Sequence, residues 1–173
     1  MKKAIYAGET IENLMKNEQI DGVQMAMDLN LSPQMISNMK RNQRKMQQDI
    51  AKQSMKVYDN FEYALELINQ FTDGLIPPVL RGKNIEKHRL AIEAYAEKEL
   101  KEALEAIVDI CLAKPPESIT AEEREGVKKI MYESLDAIAF LLNLLLTLEK
   151  DYLISVRKIV QNRIPTWKAW GWI

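Results

Sequence analysis

Cysteine is nearly missing. The 173-residue chain has one, Cys111, so no intramolecular disulfide can staple the fold. Set in the apolar run IVDICLA, it reads as a small core residue of a helix. Histidine is equally scarce: His88 stands alone between Lys87 and Arg89 and reads as a surface residue. No HExxH, CxxC, phosphate-binding loop or nucleophile elbow occurs, so neither an enzyme nor a cofactor is expected. Glycine and proline number six each, too few for a low-complexity tract. Alternating β-branched and aromatic residues are almost absent, which argues against sheet. Neither sign of charge dominates, with 24 basic and 25 acidic residues. A signal peptide is missing too, because Met1-Lys2-Lys3 leads into amphipathic sequence, so the cytoplasm is the expected location. The longest apolar run, Ala137 to Leu148, is twelve residues, broken by Asn143 and Thr147 and closed by Glu149-Lys150-Asp151. A spanning helix needs about twenty. No membrane partner is therefore expected, and the run is read as a buried helix of a core or subunit interface.

What remains is a helix-forming vocabulary. Leu, Met, Ala, Glu, Lys and Gln dominate, 47% of residues are hydrophobic and 28% charged. The fold class expected is all-α, with room for one sizeable domain or two small ones. Met25, Met39 and Met131 fall on inward positions and are expected in the core, and the acidic residues Glu97, Glu99, Glu102 and Glu105 read as helical partners of Lys98 and Lys101.

The most constrained stretch is Asp21 to Lys45, DGVQMAMDLNLSPQMISNMKRNQRK. Asp21 can cap a short helix over about 22–29 in which Met25 and Leu29 point inward around the small Ala26. Asn30 stands where a turn needs positive φ, which asparagine tolerates. Ser32-Pro33 restarts the helix, serine as N-cap and proline at the first helical position. Ile36 and Met39, at i and i+3, then face the preceding helix.

These residues resemble the lambda-repressor/Cro-like (XRE-type) helix-turn-helix family, over roughly residues 8–57. The resemblance implies a lambda-repressor-like head whose helix from Ser32 lies in the major groove of duplex DNA. Gln34, Ser37 and Asn38 would read base edges, since Gln and Asn amides pair bidentately with adenine. Gln24 and Ser32 would lie beside them. Lys40, Arg41, Asn42, Arg44 and Lys45 would meet the phosphate backbone. Pro33, Met35 and Gly22 depart from the family, which often places polar residues at the first two positions and a phosphate-touching glutamine at the third. Charge agrees with the resemblance: residues 1–58 carry net +3 and residues 59–173 net −4.

Helices are expected at 10–18, capped by Thr10, at 33–42, and from Lys45 or Met46, with Ile50 and Ala51 inward. Residues 61–71 should form another, with Phe61, Ala64, Leu65, Ile68 and Phe71 on one face and Thr72-Asp73-Gly74 as its stop. Pro77-Pro78 forbids helix around it. A long helix over 85–113 should bury Leu90, Ala94, Leu100, Leu104, Ile107, Val108 and Cys111. Thr120 and Glu123 have capping-box spacing for a last helix of some forty residues. The organisation expected is a DNA-binding head at 1–58, a helical connector and proline-containing loop at 59–84, and a helical dimerisation or oligomerisation domain at 85–173. A helix apolar all round its middle must be covered on every side. Ile138, Phe140, Leu141, Leu142, Leu144, Leu145 and Leu148 are therefore expected to meet a second chain. Trp167, Trp170 and Trp172 are expected to fold back or dock beside them.

The function expected is sequence-specific binding of double-stranded DNA by a homodimer or higher oligomer. It would be a transcriptional regulator, a repressor of the kind found in phages and mobile elements. The alternative is a degenerate helix-turn-helix that binds protein as an adaptor or anti-repressor. A regulatory protein or peptide acting on the C-terminal region is a further partner under either reading.

Overall fold

The computed structural model describes residues 3–173, so the Met1-Lys2 start read above lies outside the described residues. In chain order the elements are β1 (Ala4–Ile5), α1 (Gly8–Glu18), α2 (Gly22–Asp28), α3 (Pro33–Lys40), β2 (Met46–Gln47), α4 (Gln48–Val57), α5 (Phe61–Phe71), α6 (Arg89–Asp109), a 3-10 turn (Pro116–Ser118), α7 (Ala121–Tyr152) and α8 (Val156–Ala169). Among the described residues the fold is all-α apart from one antiparallel pair of two-residue strands, Ala4 opposite Gln47 and Ile5 opposite Met46. It divides into two compact units, Met1–Pro78 with Ser155–Ile173, and Val79–Ile154.

The first unit is built on one core. Ile11, Leu14, Met25, Leu29, Ile36, Met39, Met46 and Leu67 are buried almost completely, joined by Tyr63 and Phe71 from α5. Local signals set its joints. Asp21 caps α2 by accepting from Val23 and Gln24 N–H, Asn30 takes φ 52°, and Ser32 Oγ accepts from Met35 N–H with Pro33 opening α3. Three expected details differ, the first being that Met46–Gln47 pairs as β2, so that α4 starts at Gln48 and not at Lys45 or Met46. Helix α1 starts at Gly8, not Thr10, which is buried inside the helix and accepts from Gln70 Nε2 at 2.7 Å. Helix α5 has the expected bounds and buries Leu65 and Phe71 as expected, but its inward face also takes in Tyr63 and Leu67, while Ile68 is exposed. Helix α8 is held here by Arg157, whose Nε donates to Asp59 Oδ1 (3.1 Å) and whose terminal N–H donates to the Met55 carbonyl.

The second unit is an antiparallel hairpin of α6 and α7. Arg89 lies 4.0 Å from Asp151, Tyr95 stacks on Phe140 with centroids 5.2 Å apart, and Lys114 pairs with Glu123. Thr120 and Glu123 complete the expected capping box. The segment before α6 is tied down by Asn143, which accepts from Leu80 N–H (2.9 Å) and donates to the Ala139 carbonyl. The seam, however, is not the one the apolar spacing predicts. Ile92, Ala96, Ala103, Ala106 and Ala137 are buried, whereas Leu90, Ala94, Leu100, Leu104, Ile107, Val108 and Cys111 are exposed. Met131 is likewise exposed. Small side chains let two helices approach closely, and that contact excludes bulkier residues. The forty-residue helix is also interrupted. Leu153 takes φ 56° and Ser155 caps a new helix, accepting from Lys158 N–H. At 32 residues α7 is, by length and composition, long and apolar enough to cross a membrane, which counting the twelve-residue run did not anticipate.

Candidate nucleic-acid interface

Helix α3 has two faces. Ile36 and Met39 anchor one in the core, so residues at i, i+3, i+4 and i+7 from Gln34 lie on the other. These are Gln34, Ser37, Asn38 and Arg41. Gln34 and Arg41 are exposed, Ser37 and Asn38 half-buried. The two amides are joined, Gln34 Nε2 donating to Asn38 Oδ1 at 2.9 Å. That bond uses one amide hydrogen of Gln34 and the oxygen of Asn38, so Gln34 Oε1 and the Asn38 amide hydrogens lie outside it.

The other expected residues divide by what already holds them. Ser32 Oγ is committed to its cap. Gln24 donates to Asp28 (2.7 Å), and the second oxygen of Asp28 accepts from Tyr58 OH (2.8 Å). Asn42 takes φ 57° and accepts the Gly8 N–H at 2.9 Å, satisfying the first turn of α1 from 34 residues away. A Cβ at Gly8 would collide with the Lys40 carbonyl oxygen, so glycine is what allows α1 to start against the end of α3. Asn42 is thus a joint between two helices. Lys40, Arg41, Arg44 and Lys45 are all exposed; Lys40 has only a 3.9 Å approach to Glu12.

Tyr6 escaped the sequence reading. The β1–β2 pair brings it beside Lys45, whose ammonium sits 5.0 Å from the ring centroid. Two-residue strands carry no periodic signal, so nothing in the sequence marks this neighbour. The pair flanks a groove of about 390 Å³ also lined by Asn69, Gln70 and Asp73.

In the interior of the same unit, Ser54 Oγ donates to the Ala51 carbonyl, so Tyr63 OH is the donor in their 2.8 Å contact. Burial pushes the Tyr63 phenol up to about 12. The Ser54 contact pulls the other way, since the hydroxyl could turn its proton to a phenolate. Burial also raises Tyr58, reinforced by its bond to Asp28.

The residues expected to oligomerise all lie in helical or C-terminal segments. On α7, Ile138, Leu145 and Leu148 are exposed, and Phe140, Leu141, Leu142 and Leu144 half-buried. Trp167 is half-buried, and Trp170 and Trp172 are exposed, their ring centroids 4.8 Å apart and their planes tilted by 51°. Arg163 lies over Trp170. The carboxylates of Glu99, Glu102 and Glu133 cluster within 4.8 Å, but Lys98 Nζ sits 3.0 Å from both Glu99 and Glu102 and takes up their charge.

Charge is uneven between the units. The first carries thirteen basic and ten acidic residues, and the second eleven and fifteen. Comparison with protein-family models, curated proteins and solved structures finds no match for this chain.

Proposed function

We propose that the chain is a sequence-specific double-stranded DNA-binding protein, a helix-turn-helix transcriptional repressor of phage or mobile-element type that acts as a dimer or higher oligomer in the cytoplasm. The observation that carries this reading is the outward face of α3. Gln34, Ser37, Asn38 and Arg41 share it, and Arg44 and Lys45 follow directly beyond the helix. An ordered Gln–Asn amide pair suits adenine edges in the major groove, where each good bidentate contact discriminates by about 1–3 kcal/mol. The exposed cations suit phosphates, which set position and not sequence. Dimerisation would present two such helices to half-sites about one helical turn apart.

The test is selection of bound duplexes from a random pool, with the wild type in parallel with a Gln34→Ala/Asn38→Ala variant. The expected result is a two-fold symmetric consensus that the variant blurs. Enrichment of nothing beyond AT-rich bulk, unchanged in the variant, overturns the reading. A second reading is favoured by Val23 and Met27, large apolar side chains exposed one turn apart on α2: a protein-binding adaptor or anti-repressor. Salt separates the two. DNA binding weakens by about 0.9 log units per log of salt for each phosphate contact, while an apolar protein interface barely responds.

A further inference from the structure

The apolar residues on the outer side of α7 are not scattered. Met131, Leu135, Ile138, Leu142 and Leu145 follow one another in steps of four, three, four and three. The period of 3.5 is that of a coiled-coil seam. Met131 is 59% exposed, Leu135 47%, Ile138 45% and Leu145 41%, and Leu142 is half-buried. Continuing the same steps reaches Lys128 and Arg124 towards the N-terminus and Glu149 and Tyr152 towards the C-terminus. The stripe is basic at one end, apolar in the middle and acidic at the other. It is also symmetric about residue 138. Leu135 and Leu142, Met131 and Leu145, and Lys128 and Glu149 are equidistant from that point to within one residue.

We infer that α7 is the self-association surface, and that a second copy of this chain packs against the stripe antiparallel, about a two-fold axis near Ile138. In that arrangement Lys128 faces Glu149 of the second copy and Arg124 faces its Tyr152 ring. In a parallel arrangement Lys128 would face Lys128 and Glu149 would face Glu149. Within one chain Lys128 already reaches Glu125 at 2.6 Å, so the second copy's Glu149 adds a second carboxylate to the same ammonium. Opposite charges at nearly equal distances from one point make the stripe complementary to itself, which is what an isologous contact requires and what favours a second copy over an unrelated protein.

A lipid bilayer is the rival occupant of so apolar a helix, and α6 argues against it. Tyr95 stacks on Phe140, and a Cβ on Gly126 would lie 3.4 Å from Ile110. This register sets residues 97–105 of α6 level with about 131–139 of α7. That part of α6 carries Glu97, Lys98, Glu99, Lys101, Glu102 and Glu105. Lipid around the middle of α7 would surround these charges too, at a cost of several kcal/mol for each that is not neutralised. A second chain covers one stripe and leaves them in water.

This inference rests on the oligomer part of the function proposed above and not on its DNA contact. Loss of the duplex consensus would leave the following result unchanged, and a monomer here would leave base reading by a single head open to the duplex selection. The test uses the full chain with Cys111→Ser, since Cys111 is exposed. Under mild oxidation, Ile138→Cys should crosslink to itself. Lys128→Cys should crosslink to Glu149→Cys when the two are mixed, and to itself not at all. Light scattering should give twice the chain mass. Lys128→Glu should weaken the dimer at least tenfold, and adding Glu149→Lys should restore it, with helicity checked by circular dichroism in each variant. Four outcomes overturn the inference: self-crosslinking of Lys128→Cys, a monomer at high concentration, no rescue by the double reversal, or flotation of the wild type with phosphatidylcholine vesicles.

Discussion

In the head unit the buried side chains are the large ones, Ile11, Leu14, Met25, Ile36 and Leu67 among them, whereas the seam of the α6–α7 hairpin is lined mainly by Ala96, Ala103, Ala106 and Ala137, with Leu90, Leu100, Leu104 and Leu135 outside. Burying a large aliphatic side chain contributes about 1.5–3 kcal/mol and burying a methyl a fraction of that. The head therefore collects its stabilisation within one chain. The hairpin buries small residues along its seam and leaves much of its apolar area exposed. Exposed apolar patches of that extent mark interfaces. The first unit thus buries its large apolar side chains, and the second leaves many of its own exposed.

The largest effect is expected from truncation in the head. Ile36→Ala should lower stability by about 2–5 kcal/mol in denaturant unfolding, independent of protein concentration. The corresponding truncation on the hairpin, Leu135→Ala, should cost far less in dilute solution and more as concentration rises. Equal costs at low concentration would break the comparison. Next comes the seam itself. Ala103→Leu should destabilise by about 1–3 kcal/mol, because the added volume must push the helices apart; a neutral result in thermal melting would show that the alanines do not set the helix separation.

The smallest effect sharpens the head's side of the contrast. The folded Tyr63 phenol ionises at about 12, above the unfolded value near 10. Its contribution to stability is therefore complete below pH 10 and is lost as pH rises towards 12. Tyr63→Phe should cost about 1 kcal/mol at neutral pH, through the lost bond to Ser54. It should also flatten part of the loss between pH 10 and 12, with Tyr58 supplying the remainder. An unchanged alkaline slope in pH-dependent melting would remove Tyr63 from that account.

Three helix starts were legible from a side chain that caps its own helix, whereas Ser155 caps α8 in the same way and was not read. Asp21, Ser32-Pro33 and Thr120 with Glu123 cap theirs within three residues, and their spacing carries the information. The outward set of Gln34, Ser37, Asn38 and Arg41 was legible for the same reason, once Ile36 and Met39 were placed inward. Faces were less legible. Leu100, Leu104 and Ile107 have the spacing of an inner stripe, as the alanines of α6 do in part, and hydropathy favours the larger residues. Which stripe turns inward depends on how closely the partner helix approaches. The same holds for Ile68 and Leu67 on α5.

By itself, then, the sequence determined the helical class, the joints of α2, α3 and α7, and the side chains carried by the outer face of α3, because each follows from interactions within a few residues. Only the tertiary structure decided that Asn42 serves Gly8, that Tyr6 meets Lys45 across β1–β2, that the long helix breaks at Leu153, and that the hairpin buries Ala96, Ala103, Ala106 and Ala137 while Leu90, Leu100 and Leu104 stay exposed. Asn42 with Gly8 and Tyr6 with Lys45 join residues more than thirty positions apart, and the hairpin's choice of face depends on close packing between two helices. Composition and period describe one element at a time, and fit between elements lies outside them.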